Sequence, residues 1–265
     1  MTKIETGLLA DRVPYISGGS GPRVASVFLG GSALFRRLDH TSDPRRYARQ
    51  VSRLLPKHRF TILGYAGSSF DEIVRDMAHA MPAPPDVVIG ISFGGFVAMR
   101  FAAEHPELVK RLVLLVSAHR FSPEGWRIMQ GQFQALERGD LRTLVRNNAL
   151  LFRRPWYNWL VQIKLWKDGD RLATQFRDPA AILRDYHQLF GPDFQNNAEH
   201  LRRIASPTLI IGGTADQLFD RRACEETAGL IPGAQIRLFE RETHMLPIEK
   251  SKEVASAITA FLGPS

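Results

Sequence analysis

Residues 86–99 read DVVIGISFGGFVAM, and inside them Gly90, Ser92 and Gly94 stand at alternate positions. Gly-x-Ser-x-Gly alone is weak, recurring by chance in roughly one chain in ten of this length. Its context makes it specific. An apolar strand-like run leads into it and a helical run leads out. A strand that turns sharply into a helix lifts the serine into a strained conformation above the sheet, and the flanking glycines leave room for the turn. Gly95 lets the following helix pack closely. The helix N-terminus adds free N–H groups beside Ser92. The chemistry this suggests is nucleophilic attack on an acyl carbon, for which a serine hydroxyl needs a neighbouring base.

Eight histidines compete for that role, and position separates them. His244 lies in RETHMLP, after the last strand-like run and before the last helical one. A loop there sits at the carboxyl ends of the strands, the edge from which Ser92 also emerges. His40, His58, His79 and His105 fall in or beside surface-helix patterns. His119 follows a strand and could line the pocket, and His187 and His200 belong to a later helical segment. The acid that orients the histidine is expected after another strand. TLIIGGTAD, ending at Asp216, supplies strand, glycines and carboxylate in that order. Asp220 reads as the start of the next helix, and Glu242 as a local surface charge. Asp216 is therefore the expected acid.

These residues need a frame. Short apolar runs at Val24–Leu29, Phe60–Leu63, Val87–Ile91, Leu112–Val116, Thr208–Ile211 and Gln235–Phe239 have the continuous character of strands buried on both faces. Helical patterns lie between them. One opens at Asp43-Pro44 and carries Tyr47, Val51, Leu54 and Leu55 on one face. Another spans Phe93–Glu104, and a third Glu249–Leu262. Strands alternating with helices predict an α/β fold with a mostly parallel sheet covered on both faces. The alternation stops between about Ser122 and Asn197, a segment holding all four tryptophans (Trp126, Trp156, Trp159 and Trp166). The expected organisation is a core of residues 1–121 and 198–265 with a helical cap, 122–197, inserted in it.

The order Ser92, Asp216, His244, with the Gly90–Gly95 elbow, the Gly212–Asp216 acid loop and the Glu242–Pro247 histidine loop, resembles the α/β-hydrolase fold family in its capped form. The resemblance runs over nearly the whole chain. It implies eight strands, mostly parallel, and no cofactor. Family members usually end an early strand in His-Gly, and the next residue supplies one oxyanion N–H. Here the strand ends FLGGSA, so Gly30 stands in place of the histidine. By position the Phe93 N–H is one donor and the Ser32 N–H the other, with Gly31 beside it. The loop GYAGSS after the next strand also departs from the family pattern, and Tyr65 is a candidate to face the pocket. Serine rather than aspartate at 92 argues against epoxide hydrolases and haloalkane dehalogenases.

The remaining composition narrows the partners. The 265 residues carry a net charge of +8, with Arg36, Arg37, Arg45, Arg46, Arg49, Arg53, Lys57 and Arg59 close together. Aromatics are not interleaved with them, so nucleic acid is not the expected partner. Solvated surface is the ordinary reading, and an anionic acyl carrier or coenzyme A thioester the sharper one. No run approaches the ~18 apolar residues of a membrane span, and no secretory signal is apparent at Met1. A lone Cys224 excludes an internal disulfide and fits a reducing, cytoplasmic setting. The expected activity is a serine hydrolase acting on a small-molecule carboxylic ester or thioester. Cleavage of a carbon–carbon bond beside a ketone, acyl transfer, and a non-catalytic ligand-binding protein are the rivals. The cap aromatics fit either an apolar pocket or the cap's own core.

Overall fold

The computed structural model describes residues 3–31, 34, 38, 44–140, 143, 159–160, 163, 167, 178–190 and 198–263. Eight strands form one sheet: β1 (Glu5–Leu9), β2 (Val13–Gly19), β3 (Arg23–Phe28), β4 (His58–Leu63), β5 (Val87–Ile91), β6 (Leu112–Leu115), β7 (Thr208–Gly213) and β8 (Gln235–Phe239). Their spatial order is β1-β2-β4-β3-β5-β6-β7-β8. The β1/β2 and β2/β4 pairs are antiparallel, and every pair from β4/β3 to β7/β8 is parallel. Strands β6 and β7 are buried at every position, as expected of strands covered on both faces. The β1–β2 hairpin, absent from the apolar runs, is mostly exposed or half-buried at β1.

Helices α1 (Pro44–Leu54), α2 (Phe70–Ala80), α3 (Phe93–Glu104), α4 (Pro123–Glu137), α5 (Pro179–Leu189), α6 (Ala198–Leu201), α7 (Arg221–Leu230), α8 (Leu246–Glu249) and α9 (Ser251–Leu262), with a 3-10 turn at Pro106–Leu108, complete the described elements. Pairs α1/α9, α2/α3, α3/α6 and α6/α7 pack together around the sheet. Helix α1 buries Ala48, Val51 and Leu54 and turns its arginines outward; Asp43, its expected cap, lies outside the described residues. The final helical pattern, Glu249–Leu262, is α9 begun two residues later, with the short α8 before it and Lys250 (φ −129°) between them. His58 opens β4 and is buried rather than lying beside a surface helix.

Within 122–197 the described helices are α4 and α5, which pack on each other. Both start with a side-chain cap followed by proline: Ser122 accepts from the Gly125 N–H and Asp178 from the Ala181 N–H. Most of the rest of the expected cap, including Trp156 and Trp166, lies outside the described residues. Trp126 packs against Phe121 and Phe133, whereas Trp159 is exposed.

Candidate active site

The sheet register determines which residues meet at its carboxyl edge. Leu63 of β4, Phe28 of β3 and Gly90 of β5 lie in one row. Two residues further on come Tyr65, Gly30 and Ser92. Ser92 has φ 53° and ψ −120°, a region that costs a non-glycine residue about 1–3 kcal/mol. It occupies the N-cap position of α3, where serine ordinarily accepts a backbone N–H, yet its side chain makes no cap hydrogen bond. The turn is held by the Ser92 N–H donating to the Leu115 carbonyl and the Gly95 N–H to the Ser92 carbonyl. A Cβ on Gly90 would fall 2.5 Å from the Gly94 carbonyl oxygen, and one on Gly94 would fall 2.1 Å from that of Phe28. The Gly-x-Ser-x-Gly spacing is thus a steric requirement of this turn.

The Ser92 hydroxyl is 2.9 Å from His244 Nε2. His244 Nδ1 is 2.8 Å from Asp216 Oδ2. An ionised carboxylate only accepts, so Nδ1 donates to Asp216, and Nε2 is left to accept the hydroxyl proton of Ser92. The other Asp216 oxygen accepts the Leu218 N–H at 2.8 Å and the Phe219 N–H at 3.2 Å. His244 is 9% exposed and Asp216 4%. The carboxylate is therefore fixed at both oxygens and shielded from water.

Two loops carry the acid and the base, and they are joined. The Glu242 carbonyl accepts the Ala215 N–H at 2.9 Å, and the Thr214 N–H donates to Phe239. A Cβ on Gly213 would sit 2.2 Å from the Glu242 carbonyl oxygen, so glycine there permits this contact. The chain entering α4 braces the acid loop from above: the Ser122 N–H donates to the Leu218 carbonyl and the Ser122 hydroxyl to that of Gln217. Glu242 is buried at 5% exposure, which corrects its reading as a surface charge. Asp220 caps α7 by accepting the Ala223 N–H, the role expected of it. His119 is buried and turned to Thr227 of α7, with Nδ1 2.9 Å from its hydroxyl, and burial lowers its pKa.

Phe93, the first residue of α3, has one of the N–H groups without an intrahelical partner by position. Gly31 lies in the loop after β3, and Ser32 is outside the described residues. A Cβ on Gly30 would stand 3.3 Å from Ser92 Cβ. Aromatic rings surround the site. Phe219 lies 5.8 Å from the His244 ring and stacks on Phe121 at 5.2 Å, and Phe93 meets Phe190, just past α5, at 5.7 Å. Among the described residues, no cluster of histidine, cysteine or carboxylate side chains could hold a metal ion.

A serine at a strained strand-to-helix turn, hydrogen-bonded to a histidine that a buried carboxylate holds in turn, at the carboxyl edge of the sheet, defines a hydrolase-type α/β architecture. The chain belongs to the α/β-hydrolase fold family, whose model matches residues 45–251. It is 30% identical over 186 residues to a 2-hydroxymuconate semialdehyde hydrolase of Pseudomonas putida, covering 66% of this chain and 61% of that one. It is 26% identical over 216 residues to a pimeloyl-[acyl-carrier protein] methyl ester esterase of Aliivibrio fischeri, covering 77% and 82%. The fold is that of an enol-lactonase from Burkholderia xenovorans LB400, at TM-score 0.75 and 18% identity, covering 97% of this chain and 99% of that one. The first curated relatives are matched over 54% to 61% of their own length. No helix among the described residues is long and apolar enough to cross a membrane.

Proposed function

We propose that the protein is a serine hydrolase that cleaves a carboxylic ester or thioester through an acyl-enzyme on Ser92. The observation that supports this most directly is the unbroken hydrogen-bond chain from Ser92 through His244 to Asp216. In this reading Ser92 Oγ bonds to the acyl carbon as its proton passes to His244 Nε2. Asp216 holds the imidazole in the required tautomer and stabilises the imidazolium. The Phe93 and Ser32 N–H groups receive the oxyanion, each worth about 3 kcal/mol of barrier. His244 then protonates the departing alcohol or thiol. A water molecule gives its proton to the same nitrogen, attacks the acyl carbon and releases the acid with Ser92 restored.

A carbon–carbon bond hydrolase is the second reading, favoured by the likeness to the 2-hydroxymuconate semialdehyde hydrolase of Pseudomonas putida. An anionic acyl carrier is the proposed partner. Exposed Arg45, Arg49 and Arg53 on α1 and the carrier-bound substrate in the name of the Aliivibrio fischeri relative support it. A cytoplasmic location belongs to the same proposal and rests on the single, buried Cys224.

Fluorophosphonate labelling followed by peptide mass spectrometry tests the reading. One adduct is expected, on Ser92, and none in Ser92→Ala. A label elsewhere, or none on folded protein, would overturn it. Turnover of ester, thioester and diketone panels then decides which bond is cut, and labelling without turnover on any of them would favour a ligand-binding protein.

A further inference from the structure

The Gly30-Gly31 loop after β3 lacks the side chain that would anchor it locally. A Cβ at Gly30 would press on Ser92, 3.3 Å from its Cβ. The loop is held instead from the neighbouring strand end. Tyr65, two residues past β4, is buried and donates its hydroxyl to the Leu29 carbonyl at 2.5 Å. The same ring meets Phe93 edge-on, with centroids 5.3 Å apart and planes at 86°. One side chain therefore touches both segments that flank the Ser92 hydroxyl on its oxyanion side: the peptide leading into Gly30-Gly31 and the residue that follows Ser92.

The loop presenting Tyr65 is fixed at both ends. The Gly64 N–H donates to the Pro14 carbonyl at 2.8 Å. On the other side Ser69 caps α2 by accepting the Glu72 N–H, while the Glu72 carboxylate accepts from the Ser68 N–H and hydroxyl. These bonds fix the chain where it leaves the Tyr65 loop for α2. Burial holds the Tyr65 pKa well above the ordinary phenol range, so the hydroxyl remains a donor at neutral and mildly alkaline pH.

We propose that Tyr65 is a positioning residue for the oxyanion side of Ser92: its hydroxyl holds the Leu29 peptide that leads into Gly30-Gly31, and its ring packs on Phe93, whose N–H is the donor beside Ser92. The inference rests on the serine-hydrolase reading of Ser92. It concerns how the Phe93 donor and the Leu29–Gly31 segment are held, and the reaction itself is unchanged. A donor held in place acts on the charge that develops in the transition state and much less on the ground-state ester. Loss of the hydroxyl should therefore appear in kcat and leave KM nearly unaltered.

The test compares wild type, Tyr65→Phe and a chain carrying 3-fluorotyrosine at 65, with rates expressed per site titrated by a fluorophosphonate, and Ser92→Ala, which takes no label, as the blank. Tyr65→Phe is expected to lower kcat on a p-nitrophenyl ester about tenfold, a part of the roughly 10²–10³ lost when an oxyanion donor is removed outright. KM should stay within about twofold, as expected for an interaction made only in the transition state. Affinity for a trifluoromethyl ketone, which forms an oxyanion on Ser92, should fall with kcat/KM, and affinity for the product carboxylate should not. The fluorotyrosine chain keeps the hydroxyl and should keep its per-site kcat. Unchanged kcat in Tyr65→Phe would overturn the positioning role and leave the hydrolase reading standing. So would equal losses in both Tyr65 replacements, or equal losses toward ketone and product, since either marks packing alone. A wild-type protein that is neither labelled nor active would overturn the hydrolase reading and this inference with it.

Discussion

Asp216 uses its two carboxylate oxygens differently: one accepts from His244, and the other accepts the Leu218 and Phe219 N–H groups. Asparagine there would keep the backbone bonds through its carbonyl oxygen and turn its NH2 toward His244 Nδ1. That nitrogen would then have to accept, moving the imidazole proton to Nε2, where it faces Ser92 and blocks proton abstraction. Asp216→Asn is therefore expected to lower kcat by about 10⁴ while thermal unfolding stays near wild type. Asp220→Asn, which retains a good N-cap, should be nearly silent. Activity retained in Asp216→Asn and lost in Asp220→Asn would reverse the assignment of the acid. That Ser92, Asp216 and His244 meet at one sheet edge is legible in the sequence because each lies just past a strand, and Ser92 between glycines that its turn requires. The place of Glu242 is not. Its burial follows from the histidine loop lying against the acid loop, a contact between segments some 27 residues apart, in which a local reading sees only a polar loop residue.

Strands covered on both faces leave an unbroken apolar signature: the run Val87–Ile91 coincides with β5, and Leu112–Val116 exceeds β6 by one residue. The run Gln235–Phe239 coincides with β8 as well, but that strand lies at the sheet edge and is exposed or half-buried throughout, not covered on both faces. The β1–β2 hairpin left no such run, since β1 pairs at the edge and shows little burial. Helix α2 had a signature that could have revealed it: Ser69 with Glu72 three residues on is a capping box. Close packing of α3 gives a test at this scale. A Cβ on Gly95 would fall 2.0 Å from the Ser117 hydroxyl oxygen and 2.4 Å from Ser117 Cβ, in the turn after β6. Gly95→Ala should cost about 1–3 kcal/mol by overpacking, a fall of several degrees in a thermal scan. Because α3 begins at the Ser92 turn, kcat should fall with it. Ser117→Gly removes the opposing atoms, so the double variant should recover most of the lost stability. An unrescued double variant would show that the strain lies elsewhere.

Across the whole molecule, the net charge of +8 is unevenly spread, and α1 contributes to it without a single acidic residue. Helix α1 connects the carboxyl end of β3 to the start of β4, and these strands are parallel. It therefore runs antiparallel to them, with Pro44 toward the sheet edge where Ser92 emerges. Arg45, Arg49 and Arg53 are exposed along it at helical spacing. If an anionic carrier delivers the acyl group, these charges act on its approach more than on the chemistry at Ser92. Such steering is screened beyond ~8–10 Å at physiological ionic strength. For a carrier-bound thioester, kcat/KM should thus fall steeply between low and physiological salt, while a neutral p-nitrophenyl ester stays nearly flat. Arg45, Arg49 and Arg53 changed together to Gln should flatten the thioester profile and lower its low-salt kcat/KM toward the high-salt value. The neutral ester should be untouched, because none of the three residues belongs to the Ser92 site. Parallel salt profiles for the two substrates, or a triple variant that behaves as wild type, would assign the arginines to solvated surface and remove the carrier from the proposal.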